Sequence, residues 1–402
     1  MKTYKVVVWG IKEDYEDIYN QLKFEELKKN IEVVALCCRK EDIYSKQIDG
    51  YPLKCKEDLL DLSFDYIVIA NKASYNAIEI EAQEVINKKT DNIDIISGEI
   101  FKLSHFDFRV YVENKVPNHI INENYKNVKK FIPQQKLSFQ FDTVSHCNIN
   151  CKCCDHFCPI AKKEFIDIDL LKKDLHRLFE LSNQGELIQQ IKISGGEPLL
   201  HPMIQEIIIY IRGLFPKADV WLLTNGLKLQ SADDTFFSVL HDNNVVVAIT
   251  KYPINIDYEL IDSKLRKNNV KVFYWNKTAL KKMNQYRLDI EGKQNPIQMF
   301  AHCHRPISCI TLKNGRLYPC TLCPNADKFN KFFNKNLVIS DKDSISIYDS
   351  NNFDEILKFL SKPIPFCKYC NIDGTVLGID YEKSNKEITE WIYTQDLKQF
   401  LN

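Results

Sequence analysis

Cys147-Asn148-Ile149-Asn150-Cys151-Lys152-Cys153-Cys154 follows directly on the apolar run 137–144, and this junction decides the fold. The run reads as a strand, so the cysteines occupy the loop at its C-terminal end. Further strands are expected at 188–194, 219–224, 245–250 and 270–274, with helical stretches between them that include 169–181, 203–214 and 258–267. Strand and helix alternating in this way predict a partial (β/α)6 barrel over residues 137–298, whose reactive groups belong at the C-terminal ends of its strands. Within the loop, Cys147, Cys151 and Cys154 form a C-x3-C-x2-C spacing. Three thiolates on one loop can hold three irons of a [4Fe–4S] cube and leave the fourth iron open to a ligand. The competing reading is a zinc knuckle, but zinc sites usually close with four ligands in paired spacing.

Upstream, residues 1–120 form a second alternating series. Strands are expected at 5–9, 31–37, 64–70 and 93–97, and helices at 14–29 and 75–87, which predicts a doubly wound, Rossmann-like α/β domain. The turn after its first strand reads Gly10-Ile11-Lys12-Glu13-Asp14-Tyr15. One glycine and two acids lack the spacing that brings a backbone up to a pyrophosphate, so a structural or substrate-presenting role is preferred to dinucleotide binding. Residues 121–136 are polar and charged and read as a linker. Residues 284–298 read as a polar, mobile stretch, and an amphipathic helix is expected over 386–400.

Composition narrows the class. The chain has 402 residues, 45% of them apolar, enough for two or three cores. Lys plus Arg number 54 and Asp plus Glu 54, so the basic footprint of a nucleic-acid binder is missing. The apolar runs are too short to span a bilayer, and the N-terminus lacks the pattern of a signal peptide, which leads to a cytoplasmic expectation. In a reducing compartment the 14 cysteines point to metal or catalytic roles rather than disulfides. All but Cys37, Cys38 and Cys55 lie between Cys147 and Cys370, and those three are read as small buried hydrophobes.

The cysteine loop resembles the signature of the radical S-adenosylmethionine (SAM) superfamily, and Gly195-Gly196-Glu197-Pro198, at the end of the second barrel strand, resembles its GGE motif. The resemblance implies that Cys147, Cys151 and Cys154 ligate the cluster and that Gly195, Gly196 and Glu197 meet the methionine amino group of SAM. It further places Asn225, within Thr224-Asn225-Gly226, near the cofactor, and Thr250 at the ribose. One departure stands out: the family usually has an aromatic residue before its third cysteine, and here it is Cys153. Cys153 and Cys158 are therefore rival ligands. Asp155 and His156 are read as ordinary loop residues rather than substrate contacts.

A second cysteine group follows at Cys303, Cys309, Cys320, Cys323, Cys367 and Cys370. Asn314-Gly315 between alternating apolar residues is a strong hairpin signal, and such a hairpin gathers the cysteines at its open end. The group resembles the auxiliary-cluster domains of radical SAM enzymes, SPASM and its shortened twitch form, over residues 299–402. That resemblance implies one auxiliary [4Fe–4S] cluster on Cys303, Cys320, Cys367 and Cys370, with Cys309 as the alternative ligand and a structural zinc as the plainer reading.

The resemblance also implies reductive cleavage of SAM to a 5′-deoxyadenosyl radical, fed by a reductant such as flavodoxin or ferredoxin, and hydrogen abstraction from substrate. Dehydrogenation follows if the auxiliary cluster takes the electron, and epimerisation if a thiol such as Cys158, Cys309 or Cys323 returns a hydrogen. The doubly wound domain favours a carbohydrate or polyol, possibly nucleotide-linked, as substrate. A ribosomal-peptide maturase and a non-enzymatic iron–sulfur or zinc protein are the alternatives.

Overall fold

The computed structural model describes residues 2–393 apart from 12, 44, 72–73, 90–91, 103–107, 109–110, 113–133, 277 and 280–281. The expected linker therefore lies outside the described residues except at 134–136. The chain divides into two compact units, Met1–Ile132 and Pro133–Asn402.

In the first unit, strands β1 (Tyr4–Trp9), β2 (Ile31–Cys37), β3 (Gln47–Ile48), β4 (Tyr51–Lys54), β5 (Tyr66–Ile69) and β6 (Asp94–Ser97) make one sheet in the order β3-β4-β2-β1-β5-β6. All neighbours are parallel except the β3–β4 pair. Helices α1 (Glu13–Leu27) and α2 (Tyr75–Lys88) make two of the crossovers. β1 is central and its Val6, Val7 and Val8 are fully buried, which explains why it reads as an unbroken apolar run rather than an alternating one. Sequence periodicity did not reveal β3 and β4, because they are short and Pro52 removes a backbone donor. Gly10 has φ +97°, and a Cβ there would lie 2.9 Å from Asn71 Cβ. The glycine thus answers the close approach of the chain leaving β5. Cys37, Cys38 and Cys55 are all buried, as expected.

The second unit is built on five parallel strands, β7 (Leu137–Asp142), β8 (Ile188–Ser194), β9 (Asp219–Thr224), β10 (Val245–Ile249) and β11 (Lys271–Tyr274). Helices α3 (Ile168–Leu181), α4 (Ile204–Leu214), α5 (Asp234–Asp242) and α6 (Tyr258–Lys267) alternate with them. The side chains of Asp167, Asp233 and Asp257 accept backbone N–H groups at the starts of α3, α5 and α6, each such cap contributing about 1 kcal/mol. The apolar faces of the helices close a continuous core over Phe139, Phe141, Ile191, Ile193, Val220, Leu222 and Val247. The sheet remains open, so the expected barrel is a partial one. On its other flank β7 meets β13 (Thr311–Lys313), followed by β14 (Arg316–Tyr318) and β15 (Ile345–Ser346). The Asn314-Gly315 hairpin therefore continues the β7–β11 sheet itself. Asp174 on α3 accepts from Gly315 N–H at 2.7 Å and from the Tyr348 hydroxyl at 2.6 Å, which pins the hairpin tip.

Two expectations are corrected here. Part of the stretch expected to be polar and mobile is strand β12 (Lys282–Leu288), antiparallel to β16 (Cys370–Asp380) with Leu288 opposite Cys370. The helix expected over 386–400 is, as far as Tyr393, a single 3-10 turn at Ile388–Glu390, and the rest lies outside the described residues. Trp391 explains the turn: it is 2% exposed and its indole donates to Cys154 O, so the chain is held by packing against the cysteine loop rather than by helical periodicity. The short helices α7 (Pro296–His302) and α8 (Arg305–Ser308) lead into the hairpin. After it come α9 (Leu322–Phe333) and α10 (Phe353–Leu360).

Candidate iron–sulfur and cofactor site

The C-terminal ends of β7 to β10 converge on a cavity of about 430 Å³. Cys147, Cys151 and Cys154 from the β7 loop, Gly195 and Gly196 after β8, Thr224 and Asn225 after β9, and Thr250 and Tyr252 after β10 all line it. Lys282, Met283, Asn284 and Tyr286 of β12 form a further wall. β12 looks loop-like in sequence because both of its faces are polar: Lys282, Asn284 and Tyr286 border the cavity, while Gln285 and Arg287 are buried, with the Gln285 amide donating to Thr389 O and Glu390 O.

The glycines are required by the protein's own backbone. A Cβ on Gly196 would stand 1.8 Å from His146 O, and one on Gly195, at φ +127°, 2.7 Å from Val144 O. Gly196 N–H donates to Val144 O and Glu197 N–H to His146 O, so the glycine turn is stitched directly to the cysteine loop. The Glu197 side chain does not border the cavity. Its carboxylate is turned away from the cavity and fully buried, where it accepts from Leu199 N–H (3.1 Å), the Thr224 hydroxyl (2.8 Å) and Asn225 N–H (2.9 Å). Burial raises its pKa to about 7 despite these donors. Glu197 thus fixes the end of β9, and Asn225 is the group presented: its Nδ2 donates to Asn148 Oδ1 at 2.7 Å and reaches Cys147 Sγ at 3.8 Å.

The three thiols suit an iron–sulfur cluster by donor chemistry. Burial pushes Cys147 up to about 11 and Cys151 up to about 12, so each stays protonated until a metal displaces the proton. The Cys154 thiol is lowered, chiefly through its hydrogen bond with the Cys158 thiol, which is itself raised. Asn225 Nδ2 donates to Cys147 Sγ at 3.8 Å, and the Cys151 thiol donates to the Tyr381 hydroxyl at 3.9 Å. The rival Cys153, at φ +59°, borders the same cavity, and burial pushes its thiol up to about 12. Among the described residues no three acidic, histidine or cysteine side chains converge on a single-ion site. Thiolates of a cube bond different irons and need not converge as those on one zinc do.

Cys303, Cys320, Cys367 and Cys370 line a second, apolar cavity together with Phe300, Ile364 and Phe366. Cys309 and Cys323 do not line it. Cys309 lies beside the Ser308 hydroxyl at 3.4 Å, and Cys323 is fully buried on α9. Sequence reasoning also missed Arg305, which is 1% exposed and contacts Asp155 next to Cys154. Its position two residues after Cys303 was the available signal.

Residues 139–285 match the family described as a 4Fe–4S single cluster domain, and residues 2–93 match one described as C2185-like, N-terminal. The C-x3-C-x2-C loop and the Gly195-Gly196-Glu197 turn joined to it both lie within the segment matched to a 4Fe–4S cluster domain, and the arrangement resembles the radical SAM class. The cofactors of that class are a [4Fe–4S] cluster and SAM. No curated protein sequence matches the chain significantly.

Among solved structures, BtrN in complex with AdoMet and 2-DOIA is similar at 18% identity and a TM-score of 0.39, covering 60% of this chain and 96% of that one. Native anSMEcpe with bound AdoMet is similar at 12% and 0.35, over 58% and 82%. Streptococcus suis SuiB bound to precursor peptide SuiA is similar at 12% and 0.30, over 71% and 77%. These likenesses are loose, and none of them bears on what this chain acts upon. No helix among the described residues is long and apolar enough to cross a membrane.

Proposed function

We propose that the protein cleaves SAM reductively and uses the resulting radical to dehydrogenate or epimerise a small carbohydrate or polyol. The observation that carries this reading is the single cavity where five cysteines, Cys147, Cys151 and Cys154 among them, meet the glycine turn and β12. Cys147, Cys151 and Cys154 would hold a [4Fe–4S] cluster there, which would supply the electron for cleavage of SAM. The chain's own residues supply position. Gly195 and Gly196 leave room for a ligand at the loop, and Asn225 orients against Cys147 under the hold of Glu197. Thr250 and Tyr252 border the same space from β10, and Lys282, Asn284 and Asp155 offer charged and amide groups suited to hydroxyl-rich ligands.

Cys303, Cys320, Cys367 and Cys370 are assigned to an auxiliary [4Fe–4S] cluster. Such a cluster is an electron sink, which favours dehydrogenation. Among the candidate hydrogen-donor thiols, only Cys158 borders the cavity, so epimerisation is tied to that residue. A reductant of the flavodoxin or ferredoxin type completes the scheme.

A peptide substrate is the second reading, favoured by β11. Among the described residues it ends the sheet, with Val272 and Phe273 each 40% exposed, an edge able to pair with an extended chain. Anaerobic reconstitution, reduction and a SAM-cleavage assay test the main reading. It fails if no 5′-deoxyadenosine forms and metal analysis finds only zinc. Faster cleavage with aminocyclitols or sugars, set against a peptide library, decides between the two substrates.

A further inference from the structure

Among the described residues of the second unit, the most deeply buried cation is one the proposed function does not use. Arg305 is 1% exposed on the short turn after Cys303. Its guanidinium donates through Nη2 to Asp155 Oδ2 at 2.6 Å and stacks on the Tyr286 ring, 4.2 Å from the centroid. Its backbone N–H donates to Cys303 Sγ at 3.4 Å, and Nη1 stands 4.0 Å from the same sulfur. Asp155 directly follows Cys154, and both Asp155 and Tyr286 border the SAM-site cavity. One side chain therefore touches a sulfur of the C-terminal cysteine set, a wall of the catalytic cavity, and the residue beside a ligand of the catalytic cluster.

A desolvated guanidinium is costly, and a partner carboxylate alone repays that cost only with good geometry. Here the pair is also polarised: its cationic end faces Cys303 and its anionic end faces the cysteine loop. Charge and hydrogen bonds at cluster sulfurs set the reduction potential, because the reduced cluster carries one more negative charge. A cation and an N–H at Cys303 Sγ stabilise that extra charge.

We propose that Arg305, held by Asp155, is a positioning residue that raises the reduction potential of the cluster on Cys303, Cys320, Cys367 and Cys370. It thereby matches that cluster to accepting an electron from the neighbouring cavity. This rests on assigning those four cysteines to a cluster. A merely structural ion pair would respond alike to loss of either partner. A tuning pair responds with opposite signs, since removing Arg305 leaves the Asp155 charge near the cluster and removing the Asp155 charge leaves the guanidinium bare.

The test uses the full chain with Cys147, Cys151 and Cys154 all replaced by Ala, so that only the C-terminal site binds iron. After anaerobic reconstitution, the potential is read by redox titration followed by electron paramagnetic resonance. Arg305→Gln is expected to lower the reduced-to-oxidised ratio at fixed potential about tenfold, a shift of about 59 mV for a one-electron couple. Asp155→Asn is expected to shift it the other way, and Arg305→Lys, which keeps the charge, to shift it least. An unchanged potential in Arg305→Gln, or shifts of the same sign in the Gln and Asn variants, overturns the proposal. If Arg305→Gln holds no iron, Asp155→Asn decides: an upward shift supports the proposal and an unchanged or lower potential overturns it. If the parent triple variant itself holds no iron, the auxiliary-cluster assignment fails, and the proposal fails with it.

Discussion

Replacing Gly196 by Ala should dismantle the catalytic cluster site while leaving the rest of the protein standing. The added Cβ would lie 1.8 Å from His146 O, 2.2 Å from His146 C and 2.9 Å from Cys147 N. Real Cβ contacts essentially never fall under 3.0 Å, so the cysteine loop must retreat by about 1.2 Å. The atoms in the way are backbone, and they are held by the Gly196 N–H and Glu197 N–H bonds, so no side-chain rotation can relieve the clash. A misplacement of about 1 Å costs roughly 10²-fold in rate even where every group survives. Because Cys147 is the residue displaced, iron retention should fall as well.

The assay is iron content together with 5′-deoxyadenosine formation after reconstitution. It is run beside a control at Gly213, where an added Cβ meets nothing within 4 Å on helix α4. Gly213→Ala should leave both readouts unchanged and add about 0.5–1 kcal/mol to stability. Parental iron and parental 5′-deoxyadenosine rates in Gly196→Ala would refute the argument that the glycine exists for the neighbouring backbone.

Further outcomes are expected from the same geometry. Glu197 titrates near 7 in the folded chain against 4.5 when unfolded, so its stabilising contribution is complete below pH 4.5 and is lost as the pH rises through 7. Glu197→Gln should remove about 3 kcal/mol of that pH dependence between pH 4.5 and 7, read from denaturant unfolding of the iron-free protein at each pH; parallel pH profiles would count against it. Cys153→Ala should keep the catalytic cluster and Cys154→Ala lose it, as measured by iron content and SAM cleavage; the reverse result would exchange their roles. Asp174→Ala leaves the Gly315 N–H and the Tyr348 hydroxyl without their partner, so it should destabilise the second unit by about 2–4 kcal/mol in chemical denaturation.

Much of this architecture is legible in sequence because its signals are local. The strands at 188–194 and 219–224 and the helix at 258–267 coincide with β8, β9 and α6, and Asn314-Gly315 lies at the tip of its hairpin. The cysteine loop is readable for the same reason, since three cysteines on one short segment leave their spacing in the chain. What escaped depends on distant partners. β12 is polar on both faces, one bordering the cavity and one buried with Gln285 bonded to the 389–390 backbone, and it is held by β16 from far along the chain. Glu197 sits in a motif that points to a ligand, yet its carboxylate is claimed by Thr224 and Asn225, a preference no spacing encodes. Arg305 is unremarkable as a residue type and becomes informative only once it is known to be buried.

The continuation of β7 into β13 has a practical consequence for anyone wishing to shorten this protein. Gln140 N–H is bonded to Ile310 O, and the Gln140 amide donates to the Thr321 hydroxyl at 2.8 Å. A truncation that ends the chain before the hairpin would not release a smaller, self-sufficient catalyst. It would leave the strand that launches the cysteine loop as a raw sheet margin, with unpaired amides flanked by Phe139 and Phe141. Such margins recruit other chains, so the shortened protein should self-associate through the very strand from which its chemistry begins.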